Sequence, residues 1–114
     1  MASMEQAPVS LLEPRTAQDL ADLFQVMSDP TRLQIISALF GRELNVGEIA
    51  AALEMSMSAV SHQLRLLRNS RLVRWQRRGR EVYYMLDDEH IEVLYRAGLD
   101  HCCHVARGDE LAEP

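Results

Sequence analysis

The chain has 114 residues, of which 47% are hydrophobic, 25% charged and only 5% aromatic, and its formal net charge is -5. That is one domain's worth of material in an ordinary globular mix, which excludes a multi-domain enzyme and wholesale disorder and favours helices packed through Leu, Ile, Val, Met and Ala over a β-sandwich. No run approaches the roughly 18 uncharged apolar residues of a membrane span, and Glu5 and Glu13 stand where a signal peptide would be basic and then apolar, so a soluble cytoplasmic protein is expected.

In chain order, Met1 to Pro14 has two prolines and little periodicity, and reads as a flexible arm over residues 1–15. Thr16 to Met27 places Leu20, Leu23, Phe24 and Met27 at helical spacing, with Thr16 and Asp19 spaced as a capping box. Asp29 caps a second helix that has Pro30 at its first position, an apolar stripe of Leu33, Ile36, Leu39 and Phe40, and Gly41 as its stop. Val46 to Leu53 is a short helix with Ile49, Ala50 and Leu53 on one face. Ser56 caps a helix from Met57 to Asn69 that buries Val60, Leu64 and Leu67, with Met55 and Val60 placed as a hydrophobic staple.

Two short helices joined by about three residues, the second one basic, form a helix-turn-helix pattern, in which the second helix enters the major groove. Leu72 to Gln76 and Val82 to Leu86 read as strands joined through Arg77, Arg78, Gly79 and Arg80, a hairpin tipped with three arginines. A last helix spans Asp88 to Ala106, and an acidic tail covers residues 107–114. The fold class expected is mostly α with a small β-hairpin, the domain itself running over residues 16–106.

The net charge hides a segregation. All 12 basic residues are Arg, and seven lie between Met55 and Arg80, where there is no Asp or Glu, so that window carries +7 and the remainder -12. A basic face on an otherwise acidic molecule fits a phosphate backbone; the alternative is a solvated basic face without a partner. Two adjacent cysteines, Cys102 and Cys103, cannot build a disulfide framework, which fits a reducing compartment.

Three quoted segments carry a family resemblance: Asp29-Pro30-Thr31-Arg32 at the start of helix two, Ser58-Ala59-Val60-Ser61-His62-Gln63-Leu64 in the basic helix, and Gly79-Arg80-Glu81-Val82-Tyr83-Tyr84 in the hairpin. Over roughly residues 16 to 105 the chain resembles the ArsR/SmtB family of bacterial metal-sensing winged-helix repressors. The resemblance implies a winged helix-turn-helix in which Ser58, Ser61 and His62 contact base edges and phosphates of double-stranded operator DNA. Charge and placement add Arg65, Arg77, Arg78 and Arg80. Met57 stands where relatives often carry a polar residue, which implies apolar or absent readout there.

The last helix holds His90, His101 and His104 just after Asp88. At about 100° per residue, His101 falls about 20° from His90 and His104 about 40° to the other side, so the three share one stripe. His90 and His101 are nevertheless separated by roughly 16 Å of helix, far beyond two bonds of about 2 Å to one ion. One helix cannot build the site. An antiparallel pair from two protomers can, with Asp88 and His90 from one facing His101 and His104 from the other, so the spacing predicts a homodimer with two equivalent sites.

The pattern resembles the C-terminal-helix site of zinc-sensing members of the family. Three nitrogens and one oxygen suit tetrahedral Zn²⁺ with Co²⁺ as substitute, whereas Ni²⁺ would prefer more ligands. The family's other site, a Cys-x-Cys pair at the start of helix three, is missing, because Asn45 and Gly47 occupy those positions. A ligating His101 needs an outer partner for its second ring nitrogen, and a backbone carbonyl near Arg71 is the expected acceptor.

The expected function is a metal-responsive repressor, not an enzyme, whose apo dimer binds its operator and whose metal-loaded dimer releases it and derepresses metal-resistance genes. The alternative is a thiol- or arsenite-responsive repressor using Cys102 and Cys103, which lie off the histidine stripe. A zinc hydrolase is disfavoured because four protein ligands leave no open position for water, and a protein-binding winged helix would not need the arginine-rich wing.

Overall fold

The computed structural model describes the backbone of residues 7–111 and the side chains of residues 7–103. Among the described residues, five helices and a three-stranded antiparallel sheet follow one another as α1 (Pro14–Met27), α2 (Pro30–Ala38), β1 (Leu44–Asn45), α3 (Val46–Leu53), α4 (Met57–Asn69), β2 (Val73–Arg78), β3 (Glu81–Leu86) and α5 (Glu89–Leu111). This is a helix-turn-helix, α3 and α4, followed by a wing, β2 and β3. No described helix is long and apolar enough to cross a membrane.

Local chemistry accounts for most of the boundaries. Pro14 opens α1, where its missing N–H is no loss because the first helical donors have no partner inside the helix. The expected Thr16–Asp19 capping box does not form: both residues lie inside α1, and Asp19 instead accepts from Arg15 Nε at 3.4 Å. Asp29 caps α2 as expected, its Oδ2 accepting from the Arg32 N–H at 3.0 Å, and Ser56 caps α4 by accepting from the Ala59 N–H at 3.1 Å. A capping box that sequence reading missed starts α3: Glu48 N–H donates to Asn45 Oδ1 at 2.8 Å and Asn45 N–H to Glu48 Oε1 at 2.9 Å.

The sheet order is β1-β3-β2. β1, also absent from the sequence reading, pairs Leu44 with Tyr84 and Asn45 with Tyr83 and so straps the start of α3 to the wing. In the wing, Arg78 pairs with Glu81 and the connection is only Gly79-Arg80, with Gly79 at φ 65° as a two-residue hairpin of this kind requires. Arg77 and Arg78 therefore belong to β2, and the tip carries one arginine instead of three.

One apolar core holds these elements together, built from Ile35, Ile36, Leu39, Ile49, Val60, Leu64, Leu67, Leu72 and Val73, each at most 1% exposed. It contains no buried polar residue among the described residues. The stripe expected on α2 is corrected twice: Leu33 is 38% exposed with Ile35 fully buried in its place, and the helix ends at Ala38, so that Leu39 and the half-buried Phe40 lie beyond it and Gly41 is not its stop. α2 packs against both α1 and α3, so the face it buries is broader than one stripe.

α5 touches this core mainly through Ile91, Leu94 and Tyr95, with the Tyr95 ring 5.5 Å from that of Phe40. It continues past Ala106 to Leu111, into the segment expected as an acidic tail. Replacing Ile35 with Ala is expected to cost about 2–5 kcal/mol of unfolding free energy, and Asn45→Ala about 1 kcal/mol, in urea denaturation followed by circular dichroism. A loss below 1 kcal/mol for Ile35→Ala would contradict its place in the core.

Candidate functional site

On α4 the buried residues Val60, Leu64 and Leu67 leave the opposite face outward, and Ser58, Ser61, His62 and Arg65 are all exposed along it. Their spacing of three and four residues makes one continuous stripe. Ser58 Oγ lies 3.3 Å from the capping Ser56 Oγ, and Met57 is 57% exposed at the helix start. The stripe is aimed by a residue that sequence reading quoted but gave no role. Arg32 donates through Nε to the Val26 carbonyl at 2.6 Å and through its terminal nitrogen to Gln63 Oε1 at 3.2 Å, joining the α1–α2 corner to the middle of α4.

The wing's arginines differ from one another. Arg78 forms an ion pair with Glu43, donates to Gln76 Oε1 at 3.2 Å and lies 5.6 Å from the Tyr83 ring centre. Its guanidinium holds the Glu43 carboxyl below the usual carboxylate range, mainly by the side-chain hydrogen bond. The pair is therefore intact at neutral pH and is lost only as pH falls through that lowered value. Arg77 and Arg80 make no side-chain hydrogen bond or ion pair among the described residues, and both are exposed.

At the start of α5, Asp88 Oδ1 accepts from the His90 N–H at 2.9 Å and lies 3.4 Å from His90 Nδ1. One carboxylate oxygen thus caps the helix and also stands beside the imidazole. His101 is exposed further along the same helix, while the side chain of His104 lies outside the described residues. No group of three or more metal-ligating side chains is assembled among the described residues of one chain. Asp88 and His90 come together and His101 does not join them, which is what the rise of a helix dictates.

The donors suit a borderline divalent ion: an oxygen and a nitrogen, adjacent and open to solvent. Cys102 and Cys103 are free and exposed, and Cys102 lines an apolar groove of about 500 Å³ with Phe24, Leu33, Leu94, Tyr95 and Leu99. Asn45 and Gly47 supply no thiol, since the first is the α3 cap and the second lies in its first turn.

Residues 29–74 match the family model described as bacterial regulatory protein, arsR family. The chain is 46% identical over 101 residues to a transcriptional repressor SmtB homolog of Synechocystis sp., covering 89% of this chain and 76% of the relative. It is 38% identical over 96 residues to a cadmium resistance transcriptional regulatory protein CadC homolog of Staphylococcus aureus, covering 83% and 79%. Among solved structures it is similar to a homodimeric winged helix-turn-helix DNA-binding domain of Mycobacterium bovis, a possible ArsR-family transcriptional regulator. That likeness has a TM-score of 0.71 and 25% identity and covers 93% of this chain and 94% of that one. With its helix-turn-helix matched by the family model and most of its length by these relatives, the chain belongs to the arsR family of bacterial regulatory proteins, and it is a transcriptional regulator.

Proposed function

We propose that two copies of this chain bind operator DNA in the metal-free state and release it once Asp88 and His90 of one protomer and His101 and His104 of the other close on a Zn²⁺ ion. The observation that carries this reading is the half-built site at the start of α5: a carboxylate and an imidazole 3.4 Å apart, with the next imidazole of the same stripe out of reach in the same chain. Two antiparallel α5 helices supply the missing half by symmetry.

The apolar surface supports a dimer. Leu20, Phe24 and Leu33 on α1 and α2, and Leu99 on α5, are between 38% and 48% exposed, and Phe24, Leu33 and Leu99 border the groove beside Cys102. A patch of that kind on one side of a small domain is a surface for another chain, and the relative from M. bovis is described as homodimeric. In such a dimer the two α4 stripes sit in successive major grooves, about 34 Å apart, on a pseudo-palindromic site. Ser58, Ser61 and His62 face base edges and phosphates, while Arg65, Arg77 and Arg80 face the backbone. A regulator of bacterial genes working on the chromosome acts in the cytoplasm.

Four protein ligands make a closed site, and zinc supplies there a bond between subunits without an open position for hydrolytic chemistry. Co²⁺ substitutes for it and reports its own geometry. The regulated genes are those that remove or sequester the metal, in keeping with the cadmium resistance in the name of the S. aureus relative. Coupling of this kind is reciprocal, so operator DNA weakens metal binding by the same factor.

Three outcomes follow from this reading. Titration of the reduced protein with Co²⁺ should give intense visible ligand-field bands saturating at one ion per protomer, without a thiolate charge-transfer band in the near ultraviolet. A strong thiolate band would move the site to Cys102 and Cys103. The variant His101→Gln should keep the wild-type affinity for DNA in fluorescence anisotropy and lose release by metal; retained release would remove His101 from the site. Glu43→Gln, which frees Arg78 of each protomer for phosphate, should steepen the dependence of log K on log salt by about 1.8 for the dimer, and an unchanged slope would leave Arg78 outside the interface.

A further inference from the structure

Beyond the stripe on α4 and the wing tip, a second cationic feature lies at the C-terminal end of α4. Arg68, Arg71, Val73, Arg74, Trp75 and Asp87 line a cleft of about 380 Å³ between that helix end and the root of the wing. Three guanidiniums share it with one carboxylate. Among the described residues Arg68 and Arg71 make no side-chain hydrogen bond or ion pair, and Arg74 is steadied by donating through Nε to the Asp87 carbonyl at 3.2 Å. Trp75, the one tryptophan of the chain, is 43% exposed on the edge strand β2, whereas Phe40, Tyr84 and Tyr95 pack against the core.

Among the described residues two that are not glycine stand at positive φ, Glu54 at the end of α3 and Arg71 at this cleft. α4 ends with Leu72 N–H donating to the Leu67 carbonyl at 2.9 Å and Arg71 N–H to the Arg68 carbonyl at 3.0 Å, the pattern of a left-handed helix stop. The residue in the left-handed position is Arg71, at φ 61°, where glycine is the usual occupant. A long cationic side chain sits where the fold itself would be served by none. Such an outlier points to a use for the side chain.

We infer that this cleft is a second contact for the DNA backbone, with Arg68 and Arg71 holding a phosphate beyond the edge of the base-reading stripe and Trp75 packing against the adjoining sugar. Guanidinium forks bind phosphate oxygens in two directions, Arg74 is held in place for it, and aromatic faces cover sugar and base surfaces without sequence preference. This rests on the reading that α4 and the wing bind DNA, and extends the footprint of each protomer outward from α4.

The test measures anisotropy of a labelled duplex of about 30 base pairs and mixed sequence, across salt from about 50 to 200 mM, with the full-length protein, Arg71→Gly and Arg68→Gln. Glycine suits the left-handed position, so Arg71→Gly should fold with an unchanged or higher Tm. Each variant removes one phosphate contact per protomer and two per dimer, so it should lower the slope of log K against log salt by about 1.8 and weaken low-salt binding several-fold, and the double variant should lower it by about 3.6. Folded variants with the wild-type slope would overturn the proposal, as would a change confined to dimerisation in sedimentation, which would give the cleft to a second copy. Inorganic phosphate should displace DNA no better than chloride at equal ionic strength; preferential displacement lost in Arg71→Gly would give the cleft to a free anion instead. Failure of the wild-type protein to bind any duplex would sink the DNA reading itself, an outcome distinct from all of these.

Discussion

The orientation of the DNA-facing half of this molecule depends on Arg32. Its backbone N–H is taken by the Asp29 cap, its Nε by the last turn of α1 at Val26, and its terminal nitrogen by Gln63 on α4. Hydrogen bonds to a charged donor are worth about 1.5–3 kcal/mol each when partly shielded, and here they connect α1, α2 and α4 outside the apolar core. The core fixes how deep α4 sits, through Val60, Leu64 and Leu67, but an apolar stripe leaves a helix free to slide and roll by small amounts. A strut from the α1–α2 corner to the residue next to His62 removes that freedom. It also makes the corner that carries the exposed Phe24 and Leu33 and the helix that carries the DNA stripe parts of one rigid unit.

Charge is arranged on this frame by sign. With no lysine in the chain, every arginine is a rigid fork, and most of the forks are gathered on α4 and the wing, where Glu81 is the one acid. The exception shows how finely the surface is divided. Glu43, in the link before β1, reaches across to Arg78 and takes one wing arginine out of the free set, so that the hairpin offers Arg77 and Arg80 outward while Arg78 braces the sheet. A count of arginines therefore overstates the positive potential of the wing.

Which features were legible in the sequence follows from how local their causes are. α4 runs from Met57 to Asn69, and its buried set is Val60, Leu64 and Leu67, as the Ser56 cap and the helical period indicate, because both act within a few residues. β1 was not legible: two residues have no period, and Leu44 and Asn45 become a strand only through Tyr84 and Tyr83. The Arg78–Glu43 pair spans 35 residues and escaped for the same reason. The Asn45–Glu48 box is a local signal that was simply passed over, whereas the Thr16–Asp19 box was read into residues that Pro14 had already drawn into the helix. On α5 the histidine stripe and its separation are legible from spacing alone, and the adjacency of Asp88 and His90 follows from the helix cap.

The place of the half-site also bears on how two distant functions could be linked. Asp87, the residue before Asp88, donates its N–H to the Leu72 carbonyl at 3.0 Å and accepts from Arg74 Nε, so the start of α5 is bonded directly to the end of α4 and the root of the wing. In the dimer proposed above, a tie between the α5 helices of two protomers would act on that junction without crossing the core. Since the core is densely packed and would resist deformation, a rigid-body change in how the two protomers sit is the easier response. It alters the spacing of two α4 stripes while leaving each stripe intact. Under that proposal the regulator would lose operator geometry and keep its capacity for weak, sequence-independent contact, because each protomer's arginines would remain where Arg32 and the core have put them.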